Sequence, residues 1–371
     1  MADKIKKIFL VLCLALFSAA LLPAAGYAET LRFVFLADSR SDTKPSDPAN
    51  LDQAINTPVL NAIIAQIQKL SPPPAFVVYA GDQGYRGGFT YSGTDYYVFQ
   101  TFKDLFAPLT SAGIPLYTAI GNHELYLEHS ADGFWLGNQQ QYQQVFTENP
   151  SNGPPSGHAP SYDHLVYSFT SPGGDAFFAV LDPYYLTVPN VIPSSLGGTI
   201  DSNQLAWLQA QLAQTTATHK FLFIHVPYYY VFSDPDEPNG EHDATWTQLW
   251  NILDSNNFDL FACGHTHLYS RKNINISLVP DPPLSPLQWR NNVTQLICGT
   301  CGAGPSTGTP SVDPILWHIS NAPHTYYFSV VDINGPQVKV TSYKGDTGAY
   351  TVFDTFTLHS GISPVNFLLM N

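Results

Sequence analysis

Five short apolar runs, each ending in residues able to bind a metal ion, constrain this chain more than any other feature. Residues 31–37 stop at Asp38, 75–80 at Gly81-Asp82 and 115–120 at Gly121-Asn122. Residues 220–224 stop at His225, and 258–262 lead to His265-Thr266-His267. Runs that are apolar throughout, rather than alternating, read as strands buried on both faces of a sheet. In α/β sheets, ligands gather outside the carboxyl ends of the strands. Six ligand-competent side chains in this position therefore predict a single site at one sheet edge. Taken singly each is weak, because Gly-Asp is a common turn dipeptide and Asp after a strand often caps a helix. The ordered set is what carries the inference.

Between the runs the spacing turns helical. Thr57 is placed as a cap with Pro58 at the first helical position, followed by Val59, Ile63, Ile64, Ile67 and Leu70. Further helices are expected near 95–109 and over 203–214, the latter with Leu205, Leu208 and Leu212 on one face. Strands are expected at 164–170 and 176–181, after a polar, Gly/Pro-rich stretch at 129–162. Beyond residue 268 the chain reads mostly as strands, with a hairpin signal at Asn334-Gly335. No internal repeat or low-complexity linker divides it. Strands that first alternate with helices and then run without them predict an α/β fold, a four-layer α/β/β/α sandwich of two mixed sheets flanked by helices.

Composition sets the compartment and the partners. The first 28 residues carry Lys4, Lys6 and Lys7, an apolar stretch at 8–22 and a small-residue end near Ala28, which reads as a signal peptide. That leaves 29–360 as one catalytic domain and 361–371 as a C-terminal tail, exported to the periplasm, the exterior or the cell surface. An uncleaved anchor is the competing reading of the apolar stretch; no later segment looks membrane-spanning. Only 12% of residues are charged, and the formal charge of −14 becomes −16 once three lysines and one aspartate leave with the leader. So acidic a surface argues against nucleic-acid backbones and anionic membranes, and means that an anionic substrate needs local positive charge. Cys263, Cys298 and Cys301 remain after cleavage: Cys298 and Cys301 either close a small disulfide or are buried strand residues. Asn275-Ile-Ser and Asn292-Val-Thr fit glycosylation acceptors.

Gly81-Asp82, Gly121-Asn122-His123-Glu124, the single His225 and Gly264-His265-Thr266-His267 resemble the motif series of the calcineurin-like metallophosphoesterases. The resemblance runs from Asp38 to about Gly304. It implies hydrolysis of a small phosphate mono- or diester by a hydroxide held between two metal ions. Asp82 would bridge them, with Asn122, His225 and His265 completing one site and Asp38 and His267 contributing to the other. Such mixed oxygen and imidazole donors suit Fe, Mn or Zn. His123 matches the general acid, and Glu124 would orient a histidine through its distal nitrogen. Tyr228, Tyr229 and Tyr230, and the loops at 129–162 and 233–242, are candidates for the pocket wall.

The family's first motif is Asp-x-His, whereas this chain has Asp38-Ser39-Arg40. Arginine stays protonated and has no lone pair to offer a metal. Three resolutions follow. Tyr85 stands three residues after Asp82, as in the purple acid phosphatase branch, where tyrosinate binds ferric iron. Alternatively water completes the first site and Arg40 faces the substrate phosphate, or the first ion is lost. A secreted binding or assembly protein that keeps the fold without turnover is the reading from another functional class.

Overall fold

The computed structural model describes residues 30–127, 133–155, 160–191, 197–231, 244–274, 293–306, 310 and 318–358. The leader at 1–28, the tail at 361–371, the loop at 233–242, Asn275 and Asn292 lie outside these residues.

In chain order the strands are β1 (Thr30–Leu36), β2 (Phe76–Ala80), β3 (Gly88–Tyr91), β4 (Thr94–Tyr97), β5 (Leu116–Ala119), β6 (Phe134–Trp135), β7 (Tyr167–Thr170) and β8 (Ala176–Val180). They continue with β9 (Asn190–Val191), β10 (His219–Phe223), β11 (Leu260–Cys263), β12 (Tyr269–Ile274), β13 (Val293–Cys298), β14 (Tyr326–Asn334), β15 (Gln337–Gly345) and β16 (Thr351–Leu358). The helices are α1 (Thr57–Ile67), α2 (Phe99–Leu105), α3 (Ala107–Thr110), α4 (Asn122–Leu125), α5 (Leu136–Val145), α6 (Ser202–Leu212) and α7 (Ala244–Ser255).

Two six-stranded mixed sheets carry the fold, ordered β16-β15-β14-β1-β2-β5 and β12-β13-β11-β10-β8-β7. Within them β1, β2 and β5 are mutually parallel, as are β8, β10, β11 and β13. Alternation along β1 shows why its run is apolar throughout. Phe33 and Phe35 enter the core between the sheets, while Val34 and Leu36 enter the core under the helices. The inter-sheet layer is aromatic: Phe33 meets Phe178 and Phe221 edge-on at 5.4 and 5.2 Å, and Phe178 stacks on Phe221 at 5.2 Å. On the outer faces, α1 buries Val59, Ile63 and Ile67, and α7 buries Trp246, Trp250 and Leu253. The four-layer arrangement read from the sequence is the one observed.

Several local expectations are corrected. The residue preceding α1 is Asn56, not Thr57, and no side chain caps that end. Residues 94–97 pair with β3 as a hairpin, so the expected helix near 95–109 begins only at Phe99. The polar stretch at 129–162 contains α5, and α7 was not foreseen. Cys263, Cys298 and Cys301 are buried free thiols, with the Cys298 hydrosulfide accepting from Ser329 Oγ at 3.8 Å. No helix among the described residues is long and apolar enough to cross a membrane.

Candidate metal centre

The parallel strands bring their carboxyl ends to one edge, where Asp38 follows β1, Asp82 follows β2 and Asn122 opens α4 directly after β5. From the other sheet, His225 follows β10, and His265 and His267 follow β11. Three of these residues leave their strands in the left-handed region: Asp38 at φ 61°, Asp82 at φ 57° and His265 at φ 67°. A side chain there costs on the order of 1 kcal/mol and persists only where the surroundings enforce it. Three such residues at one strand edge mark a built site.

Glycines permit the crowding. Gly81 has φ +83°, and a Cβ on it would come within 2.6 Å of His225 Nδ1. A Cβ on Gly264 would lie 2.1 Å from Asp38 Oδ2. Both glycines are therefore fixed by the approach of backbone to ligand side chains.

One donor set is tightly convergent. Asn122 Oδ1, His225 Nε2 and His265 Nδ1 lie 3.1 Å from one another, and Asp82 Oδ1 is 3.2 Å from His225 Nε2. Coordination at about 2.1 Å spaces neighbouring donors about 3.0–3.4 Å apart, so Asn122 Oδ1, His225 Nε2 and His265 Nδ1 fit one transition-metal ion, with Asp82 beside His225. Donor atoms of Asp38, Asp82 and His225 also lie within 4.8 Å of one another. His225 Nδ1 donates to Ala80 O at 2.7 Å, which leaves the Nε2 lone pair facing the set. Burial alone would lower His225, yet the carboxylates of Asp82 and Asp38 push it up to about 10. So negative a pocket calls for a cation.

The second set is looser. His267 Nε2 lies 3.7 Å from Asp38 Oδ1, and both Asp38 oxygens accept from the His265 backbone N–H at 3.1 and 3.0 Å. Arg40 Nε lies 3.9 Å from Asp82 Oδ2, and its Nη1 pairs with Asp42 at 3.0 Å. Burial, and after it the Arg40 guanidinium, hold His267 well below the usual histidine range. Burial, with Asp82 adding to it, raises Asp38 well above the usual carboxylate range against the opposing charges of His225 and Arg40. Asp82 is itself lowered, because His225 and His123 outweigh its burial.

His123 stands beside the cluster with Nε2 3.9 Å from Asp82 Oδ2, and its Nδ1 donates to Tyr85 O at 2.5 Å. Burial lowers it to about 4, with Asp82 opposing and Arg40 assisting. Tyr85 thus reaches the site through its backbone. Its ring stacks on Phe89 at 6.5 Å, and no described contact joins its hydroxyl to the cluster. Glu124 does not hold a histidine ring. Its carboxylate instead accepts the backbone N–H groups of Asp82, Gln83 and Gly121 at 2.8, 2.7 and 2.7 Å, tying the two loops together. Burial and Asp82 push Glu124 up to about 7 against those donors. Tyr230 lies edge-on to His265 at 6.1 Å, while Tyr228 belongs to the core, stacked on Trp250 at 4.8 Å.

Two contributors were missed in the sequence. Asp42 pairs with Arg40. Asp182 follows β8 at the same edge, is fully buried, and is pushed by burial up to about 8. Its Oδ1 accepts from Tyr184 N, whose ring lies 6.3 Å from His225. The rule that selects Asp38 and Asp82, an apolar run ending in an acid, also selects Asp182.

A cleft of about 590 Å³ opens beside this centre, lined by Arg40, Asp42, Asn56, Gly302 and Tyr326 among others.

Solved structures reproduce the architecture. A purple acid phosphatase from yellow lupin (Lupinus luteus) seeds is 16% identical with a TM-score of 0.58, covering 91% of this chain; the chain spans 55% of the lupin protein's length. PhoD is 15% identical with a TM-score of 0.54, covering 92% of this chain and 75% of its own. GAP50, the anchor in the inner membrane complex of Plasmodium, is 14% identical with a TM-score of 0.50, covering 92% and 93%. At such identities the likeness is one of fold. Among curated proteins none matches significantly. The calcineurin-like phosphoesterase family model matches residues 31–269, more than half of the sequence, and the chain belongs to that family.

Proposed function

We propose that this protein is an exported, metal-dependent hydrolase of small phosphate esters. The observation that carries this is the convergence of Asn122, His225 and His265, whose donors lie 3.1 Å from one another, with Asp82 3.2 Å from His225 and grouped with Asp38 and His225 within 4.8 Å. These four residues would hold an Fe, Mn or Zn ion, which when bound supplies Lewis-acid stabilisation of charge on the phosphoryl oxygens. The remaining work falls to the chain's own groups. Arg40 points a guanidinium at the Asp82 edge of the cluster, where its planar donors suit a phosphoryl group. His123 is held through its Nδ1–H by Tyr85 O so that Nε2 faces the same edge, where the charge of a bound phosphate would favour the protonated ring it needs to pass a proton to the leaving oxygen. The cleft beside Arg40 is roomy enough for the leaving group of a small molecule and is lined mainly by neutral polar side chains. The leader at 1–28 supports export.

The test is hydrolysis of p-nitrophenyl phosphate and its bis-ester by the purified mature chain supplied with Mn, Zn or Fe. Turnover by the wild type that falls at least about 10³-fold in Asp82→Asn is the expected result. No turnover with any of the three metals would sink the enzymatic reading and leave a binding protein that retains the fold.

A further inference from the structure

We infer that this centre holds one metal ion rather than two, the Arg40 guanidinium standing as a fixed cation at the edge of the cluster where a second ion would bind. This rests on the phosphoesterase reading above and specifies its metal stoichiometry.

The two donor sets differ in how well they fit an ion. Around Asn122 three donors, Asn122 Oδ1, His225 Nε2 and His265 Nδ1, lie 3.1 Å from one another, and Asp82 Oδ1 lies 3.2 Å from His225 Nε2, whose ring is oriented by the Ala80 carbonyl. On the Asp38 side the spacing is wider: Asp38 Oδ1 lies 3.7 Å from His267 Nε2, donor atoms of Asp38, Asp82 and His225 lie within 4.8 Å of one another, and both Asp38 oxygens accept from the His265 N–H. The free face of Asp82, its Oδ2, is where a bridging carboxylate would meet a second ion. That oxygen instead faces Arg40 Nε at 3.9 Å and His123 Nε2 at the same distance.

Arg40 is held at this edge by its backbone and by one side-chain pairing. Its backbone N–H donates to Asp82 O at 3.2 Å, it forms an antiparallel bridge with Ile55, and its Nη1 is held by Asp42 at 3.0 Å. Only 17% of the side chain is exposed. A guanidinium has no lone pair, so it cannot ligate, and its permanent charge repels a cation placed next to it. It also answers the negative potential of Asp38 and Asp82 without any metal. The same substitution therefore removes a ligand, supplies the missing charge and offers planar donors to the phosphoryl group.

Metal content distinguishes these arrangements without relying on turnover. Metal-free protein is titrated with Mn²⁺ alone, bound metal is counted by mass spectrometry, and the electron paramagnetic resonance spectrum is recorded at saturation. The expected result is one Mn²⁺ per chain with the six-line spectrum of an isolated ion in the wild type. Arg40→His, which restores a nitrogen donor, is expected to take up two ions with a spin-coupled spectrum. Two coupled ions in the wild type overturn the inference and leave the phosphoesterase reading intact. An Arg40→His protein that stays at one ion overturns the role assigned to Arg40. Should that variant not fold, the wild-type count decides alone. No bound Mn²⁺ together with no turnover of p-nitrophenyl phosphate overturns the phosphoesterase reading itself.

Discussion

Gly264 shows at the level of a single side chain why glycine precedes Asp82, Asn122 and His265. With a Cβ 2.1 Å from Asp38 Oδ2, Gly264→Ala must displace either the carboxylate or the loop carrying His265. The expected outcome is a fall in Mn²⁺ affinity of at least about 10-fold, measured by titration calorimetry, since a shifted ligand loses its geometry. Glu124 acts at one remove. Glu124→Gln loses at least one of the acceptor positions for Asp82, Gln83 and Gly121, and is expected to weaken metal binding by about 10–100-fold with the fold retained by circular dichroism. The residues that meet at this edge were legible in the sequence because each stands behind its own apolar strand. What Glu124 touches was not legible: its partners are backbone groups from two loops, and only the folded chain brings those together.

At the scale of elements, the central strands could be read because burial on both faces makes them apolar without interruption. The failures have equally physical causes. Helix α5 (LGNQQQYQQV) has almost no apolar face; among its buried residues are Asn138, which donates to Glu124 O and Tyr126 O, and Gln139, which pairs with Leu186. Helix α7 does carry a signal, with Trp246, Leu249, Trp250 and Leu253 at helical spacing, behind a polar segment that masks its start in the sequence. One interaction between elements has a pH signature. His219, at the start of β10, donates through Nε2 to Gly335 O in the β14–β15 hairpin at 2.8 Å, and its Nδ1 meets Asp259 Oδ2 at 3.3 Å. Burial alone would lower His219, but the Asp259 carboxylate reverses this and raises it. A raised folded-state pKa contributes stability that is fully present below the unfolded value near 6.5 and is lost as pH rises through the folded value. Relative to His219→Gln, the wild type is expected to be more stable by about 1–2 kcal/mol at about pH 5.5. The gap should narrow in alkaline urea melts; a gap independent of pH contradicts the assignment.

At the scale of the whole molecule, the two sheets are bound by the aromatic layer of Phe33, Phe178, Phe221 and Phe223. Phe221→Ala is expected to cost about 3–5 kcal/mol in urea unfolding, because two ring contacts are lost at a fully buried position. Strand order was beyond the sequence: β1 sits between β2 and β14, and nothing local to residues 30–36 says that its antiparallel neighbour arrives some 300 residues later. Yet that pairing completes the sheet whose edge carries Asp38, Asp82 and Asn122, opposite the edge carrying His225 and His265. This shared edge is proposed above as a metal-dependent phosphoesterase centre. Hydrolysis of p-nitrophenyl phosphate by chelator-stripped protein, before and after Mn²⁺ is restored, tests it most directly in the wild type and in Asp82→Asn. Activity absent after stripping, recovered with Mn²⁺ in the wild type and not in Asp82→Asn, is the predicted result. Equal turnover in the stripped and restored wild type, or in the two proteins, would contradict it.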